Sequence, residues 1–199
     1  MNFVKLFIQG IIELMQKIPI EVSARHMHIS QKDLESLFGK GYKLKKLRDL
    51  SQTGEFASKD KITIKNRTRE LLVRIIGPVR KNTQIELSKT DALYLKVNPP
   101  VRKSGRILLT PGVTLINGKK KVKIKRGVIL ALRHIHCTPD EAKTLKLKKY
   151  VSVGVGGDRA LVFNKVRVRI DKKYVLSMHI DTDEGNAAGI NKEGIGHLL

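Results

Sequence analysis

Residues 25–30 read RHMHIS and residues 133–138 read RHIHCT, so the pattern Arg-His-x-His-x-Ser/Thr occurs twice, 108 residues apart. An internal repeat constrains a fold more than local propensity does, because each copy must be one supersecondary unit and the units must complete one another. Both copies lead into the same local start. Ser30 with Asp33, and Thr138 with Glu141, are hydroxyl–x–x–acid helix beginnings, and Pro139 suits a first helical position. Helices are expected through DLESLF and DEAKTL. A weaker correspondence aligns QIELSKTDA (84–92) with SMHIDTDEG (177–185), setting Glu86 opposite His179. Each lies in a strand just before a polar turn and a further helix (TDALYL, DEGNAAG).

From residue 20 the chain is a succession of short β-branched segments: IPIEVSA, KITIK, ELLVRIIG, QIELS, ILLT, GVTLI, KVKIK, GVILAL, YVSVGV, ALVF, KVRVRI and YVLSMHI. Asn117-Gly118 and Gly156-Gly157-Asp158 are hairpin signals between such segments. The pattern predicts a mainly β chain with short helices, built as two pseudo-symmetric β-barrel halves from the repeat. Residues 19–98 form the expected first half, 99–127 a connecting loop and hairpin, and 128–199 the second half, with strand exchange between halves left open. Residues 1–18 stand apart. Val4, Phe7, Ile8, Ile11, Ile12 and Met15 recur at helical spacing and predict an N-terminal amphipathic helix over Met1–Lys17. Gln9 and Glu13 break its apolar part, which argues against a signal peptide. It packs on the body or a second subunit, or serves as a docking helix.

The histidines carry the first chemistry. Residues two apart on a strand share a face, about 6.6 Å apart along it. His26 with His28, and His134 with His136, can therefore turn both rings toward one ion, while Met27 and Ile135 face the core. A third ligand from the later strand completes the sets His26, His28, Glu86 and His134, His136, His179. Three protein ligands leave a position for water or substrate, as catalytic zinc sites do. Zinc is the preferred ion for each of the two sites, although such donors also suit nickel, iron or cobalt. Cys137 alternates to the opposite face and is expected to be an inert buried thiol.

Arginine supplies the second chemistry. Gly77-Pro78-Val79-Arg80 leads toward Glu86, and the Arg80 guanidinium matches phosphate oxygens as a fork. Arg25 and Arg133 precede the paired histidines and read as anion binders or structural ion pairs. The loop PPVRKSG offers Arg102 and Ser104 to an anionic ligand such as a cofactor phosphate. Over the 199 residues, 40 Lys and Arg against 18 Asp and Glu leave a net charge of +22, which implies a polyanionic partner. The one cysteine fits a reducing cytoplasm, and no apolar run is long enough to span a bilayer.

The motifs ARHMHIS, DLSQTGEFA, GPVRKNTQIELSKTDA, PPVRKSG, TPGVTL, LRHIHCTPDEA and MHIDTDEGNAAG, in this order across residues 20–190, resemble the propanediol-utilisation-type phosphotransacylases (phosphate propanoyltransferases). The resemblance implies transfer of a short acyl group, propanoyl or acetyl, between coenzyme A and inorganic phosphate. It implies two β-barrel halves and two metal ions, normally zinc, at the sets already named, with Arg80 on phosphate. Some members of that family carry an N-terminal extension that targets a bacterial microcompartment shell, and residues 1–18 resemble it in character. The expected partners are acyl-CoA, phosphate, further copies of the chain and, through that helix, a shell protein. A basic nucleic-acid-binding β-barrel is the non-enzymatic alternative, but the chain has no Trp and 5% aromatic residues for base stacking. A cupin-like metal-dependent oxygenase or isomerase is the enzymatic alternative, and Lys32 and Asp33 fit poorly as its acidic ligand.

Overall fold

The computed structural model describes residues 16–199. The helix expected over Met1–Lys17 lies outside the described residues except at its end, where Lys17 already belongs to a strand, β1 (Lys17–Ser23). The chain divides into two compact units, one of Ser23–Leu132 and one of the residues up to Val22 with Arg133–Leu199.

The unit Ser23–Leu132 runs β2 (His26–His28), α1 (Gln31–Phe38), β3 (Lys46–Asp49), β4 (Phe56–Asn66), β5 (Arg69–Gly77), β6 (Gln84–Leu87), α2 (Lys89–Tyr94), β7 (Val101–Arg102), β8 (Thr114–Asn117), β9 (Lys120–Lys123) and β10 (Val128–Ala131). Its nine strands form one sheet in the order β7-β10-β6-β2-β5-β4-β8-β9, with β3 on β4. Met27, Ile29, Ile64, Ile75, Ile85 and Leu115 are fully buried in its core.

The other unit adds β11 (His134–Cys137), α3 (Pro139–Thr144), β12 (Tyr150–Val155), β13 (Leu161–Ile170), β14 (Ser177–Asp181), α4 (Thr182–Ala188) and β15 (Glu193–Leu198). With β1 these close a six-stranded barrel, β1-β14-β11-β13-β12-β15. Closure satisfies both edges of the sheet. Ile18, Ile135, Val153, Val166 and Met178 fill the core. One unit is thus a closed barrel and the other a single larger sheet, where the repeat predicts two barrels.

The repeat is nevertheless explicit in strand order. β6-β2-β5-β4 and β14-β11-β13-β12 are the same arrangement. In the first, His26 pairs with Glu86, Met27 with Ile85 and His28 with Gln84. In the second, His134 pairs with His179, Ile135 with Met178 and His136 with Ser177. The strand preceding each His-x-His strand goes to the other unit: β1 enters the barrel, and β10 pairs with β6 in the sheet. Strand exchange therefore sets the unit boundaries at residues 22 and 132. Residues 99–127 hold the expected hairpin, β8–β9 across Asn117-Gly118, but with β7 they are part of the sheet rather than a connection outside it.

Two segments depart from the propensity reading. ILLT (107–110) is not a strand: Leu108 and Leu109 are 67% and 86% exposed, and Leu109 has φ 57°. With both leucines turned to solvent, apolar content alone does not make a strand. EGIGHL, which carries too few β-branched residues to stand out, is β15. A Cβ at Gly196 would come within 2.4 Å of Val153 Cγ1, so the absence of a side chain lets β15 close the barrel. No helix among the described residues is long and apolar enough to cross a membrane.

Candidate active site

Strand pairing assembles the first cluster. His26, His28 and Glu86 each present a ligand atom, all within 4.8 Å of one another. His26 Nδ1 donates to the Ala24 carbonyl at 2.8 Å, which turns Nε2 toward Glu86 Oε2, 3.8 Å away. His28 is buried, and its Nδ1 has no hydrogen-bond partner. Burial, with the charges of His26 and Arg80, holds its pKa at about 3 against the pull of Glu86, so the ring is neutral. A buried, neutral, unpartnered imidazole nitrogen beside a carboxylate is a ready cation ligand.

Polar groups fix this cluster from behind. Gln84 Nε2 donates to Glu86 Oε1 at 2.6 Å and to Ser104 Oγ at 2.8 Å, while its Oε1 accepts from the Gly105 N–H at 2.7 Å. Arg80 donates through one nitrogen to Ser104 Oγ at 3.2 Å and through the other to Glu55 Oε1 at 2.7 Å. Arg80 and Ser104 therefore do meet beside Glu86. Arg102 does not join them: it is exposed and donates to the carbonyl of Val101. Arg80 also lines a cleft of about 500 Å³ with Lys32, Lys81, Lys123, Lys125 and Arg126.

The second cluster is built by the same pairing in the barrel. The rings of His134, His136 and His179 lie 4.6–5.3 Å apart, centroid to centroid. His136 is buried with neither ring nitrogen hydrogen-bonded. Burial, then the neighbouring His134, His179 and Arg169, holds its pKa at about 2. His179 Nε2 is 2.9 Å from Ser177 Oγ. Two residues the sequence reading missed, Arg169 and Tyr174, stand here. Arg169 approaches His134 Nε2 at 3.3 Å and donates to the Tyr174 hydroxyl at 3.0 Å. The Tyr174 ring lies 4.1 Å from that of His136. The alternation in KVRVRI placed Arg169 on the face opposite Val168, a signal that points to the cluster once β13 is known to flank β11.

The arginines before the paired histidines are structural. Arg25 pairs with Asp91 at 2.6 Å and Arg133 with Glu184 at 2.9 Å, the acids occupying equivalent positions in α2 and α4. Cys137 is buried against the Arg169 carbonyl, and burial and then Glu141 push its thiol pKa up, which keeps it unreactive.

A family model described as phosphate propanoyltransferase matches residues 19–191. The phosphate propanoyltransferase of Enterococcus faecalis is 45% identical over 184 residues, 90% of this chain and 87% of the relative. That of Thermotoga maritima is 44% identical over 199 residues, 96% of this chain and 95% of the relative. That of Clostridioides difficile is 35% identical over 204 residues, 100% of this chain and 98% of the relative. Both histidine clusters fall inside the matched region, and the chain belongs to the phosphate propanoyltransferase family of acyltransferases.

Proposed function

We propose that the chain moves a short acyl group, propanoyl or acetyl, between coenzyme A and inorganic phosphate by direct transfer assisted by two divalent metal ions. In the acyl-CoA direction a phosphate oxygen bonds to the acyl carbon, the carbon–sulfur bond breaks and sulfur leaves with the electron pair. The products are acyl phosphate and free CoA. Zinc suits both donor sets, His26/His28/Glu86 and His134/His136/His179, because His28 and His136 are neutral, buried rings that each offer a nitrogen without a hydrogen-bond partner. Such an ion supplies Lewis acidity, lowering the pKa of a bound thiol and polarising oxygen.

The chain's own groups do the rest. Ala24 holds His26 in the ligating tautomer, and Gln84 fixes Glu86. We assign the first set to the sulfur side and the second to acyl or phosphate oxygens. Arg80, oriented by Glu55 and Ser104, offers guanidinium donors to phosphate. The cationic cleft beside it suits the phosphates of CoA.

The observation that carries this reading is the 4.8 Å convergence of His26, His28 and Glu86 in a chain of this family. Metal analysis combined with CoA release from acetyl-, propanoyl- and butanoyl-CoA, with and without phosphate, tests it. We expect about two zinc ions per chain, phosphate-dependent release, and a rate loss of at least about 100-fold for Glu86→Gln, as ligand removal does more than outer-shell changes. Phosphate-independent release, or full activity without metal, overturns it. The reading also includes a cytoplasmic homo-oligomer, with residues 1–18 docking to a microcompartment shell protein. Deleting those residues with partner binding and localisation unchanged removes the docking role.

A further inference from the structure

We propose that Arg169 forms an anion-binding site at the His134/His136/His179 cluster and holds a phosphoryl group there, phosphate as substrate or the acyl phosphate made from it. The identity of the anion rests on the acyl-transfer reading above. The site itself rests on charge accounting. Arg25, Arg80 and Arg133 are each matched by a carboxylate, Asp91, Glu55 and Glu184, at 2.6–2.9 Å. Arg169 is half-buried beside three imidazoles and makes no ion pair among the described residues. Its hydrogen bonds go to the neutral Tyr174 hydroxyl and toward His134 Nε2, and the Tyr174 ring centroid lies 5.5 Å from its Cζ. These contacts fix the direction of the guanidinium but bring no carboxylate to it.

A fixed, partly desolvated guanidinium with no carboxylate brought to it is a site that an anion completes, and its planar fork matches phosphoryl oxygens. Repeat symmetry sharpens the point. Arg74 faces His26 across β2–β5 as Arg167 faces His134 across β11–β13, so the counterpart of Arg169 is Ile76, an aliphatic side chain. The first cluster instead carries its acid, Glu86, where the second carries His179. The two clusters therefore differ in the direction expected if one faces a leaving sulfur and the other a phosphoryl oxygen.

The test compares Arg169→Gln, Arg169→Lys and Tyr174→Phe with the parent protein. It measures KM for phosphate, KM for propanoyl-CoA, metal content, and binding of inorganic phosphate by calorimetry. Arg169→Gln should raise KM for phosphate at least about 10-fold, weaken calorimetric phosphate binding in step, and leave KM for propanoyl-CoA within about 2-fold. Arg169→Lys should recover part of the loss, and Tyr174→Phe should fall between because the guanidinium loses its guide. Metal content should stay at the parent level. Unchanged phosphate binding, or an equal rise in both KM values, overturns the proposal. If Arg169→Gln fails to fold, the lysine and Tyr174→Phe variants decide by the same readouts. If the parent itself shows no phosphate-dependent CoA release, the acyl-transfer reading fails, and calorimetry still judges Arg169 alone.

Discussion

A buried imidazole that resists protonation leaves a signature in stability as well as in ligation. His28 is held at about 3 mainly by burial, and His136 at about 2 by burial and then by His134, His179 and Arg169 beside it. The unfolded chain takes up those protons near pH 6.5, while the folded chain does not until far lower pH. Between these limits the unfolded state binds more protons, so stability is full above about pH 6.5 and falls as pH drops toward 3. Each such imidazole should cost about 2 kcal/mol between pH 7 and pH 5 in metal-stripped protein. Urea unfolding of the parent and of His28→Asn, in chelator at the two pH values, measures this. The variant should lose about that much less; equal losses would show that His28 is protonated in the fold. The clustered histidines were legible in the sequence because spacing and repetition are local or periodic signals. Arg169, Gln84 and Glu55 were not, because what they do is fixed by partners 20 or more residues away: Arg169 approaches His134, Gln84 bonds Ser104, and Glu55 bonds Arg80.

At the scale of elements, the two helices that follow the paired histidines show how one added methylene changes a cap. Thr138 Oγ1 accepts from the Glu141 N–H at 3.2 Å, and the Glu141 carboxylate accepts from the Thr138 N–H at 2.8 Å, a reciprocal box. Ser30 likewise caps α1 through the Asp33 N–H, but the shorter Asp33 carboxylate accepts from the Ser30 and Thr83 hydroxyls instead. α3 has only six residues, so its start is a large part of it. Thr138→Ala should cost about 1 kcal/mol, within 0.5–2, in chemical denaturation at constant m-value. A cost near zero would mean packing alone holds α3. Caps and alternating strands were legible for this reason: they are set by residues within a turn of each other. β3 was not, since all four of its residues are exposed and it exists by pairing with β4. β15 was not either, because Gly196 is explained only by Val153 and Ile20 beneath it, and Gly194 by Ile190.

Across the whole molecule, exchange of β1 and β10 gives the two units unequal independence. Residues 23–132 are continuous and contain every strand of the nine-stranded sheet, β10 included. The barrel is discontinuous. Without β1, residues 133–199 leave β14 and β15 as two open edges and remove Ile18 and Ile20, both buried, from the core. Open edges and a core short of two isoleucines cost several kcal/mol against the marginal stability of a domain this small. Residues 23–132 expressed alone should therefore unfold cooperatively, whereas 133–199 should not. Leu198 N–H donates to the Gln16 carbonyl at 3.0 Å, so the barrel's C-terminus lies beside the start of β1. Joining Leu199 through a short Gly-Ser linker to residues 16–22, in the order 133–199 then 16–22, should restore a cooperative transition by supplying the sixth strand antiparallel to β15. Calorimetry of the three fragments decides: a cooperative transition in 133–199 by itself would show that the barrel does not depend on the strand it receives from ahead of the first repeat.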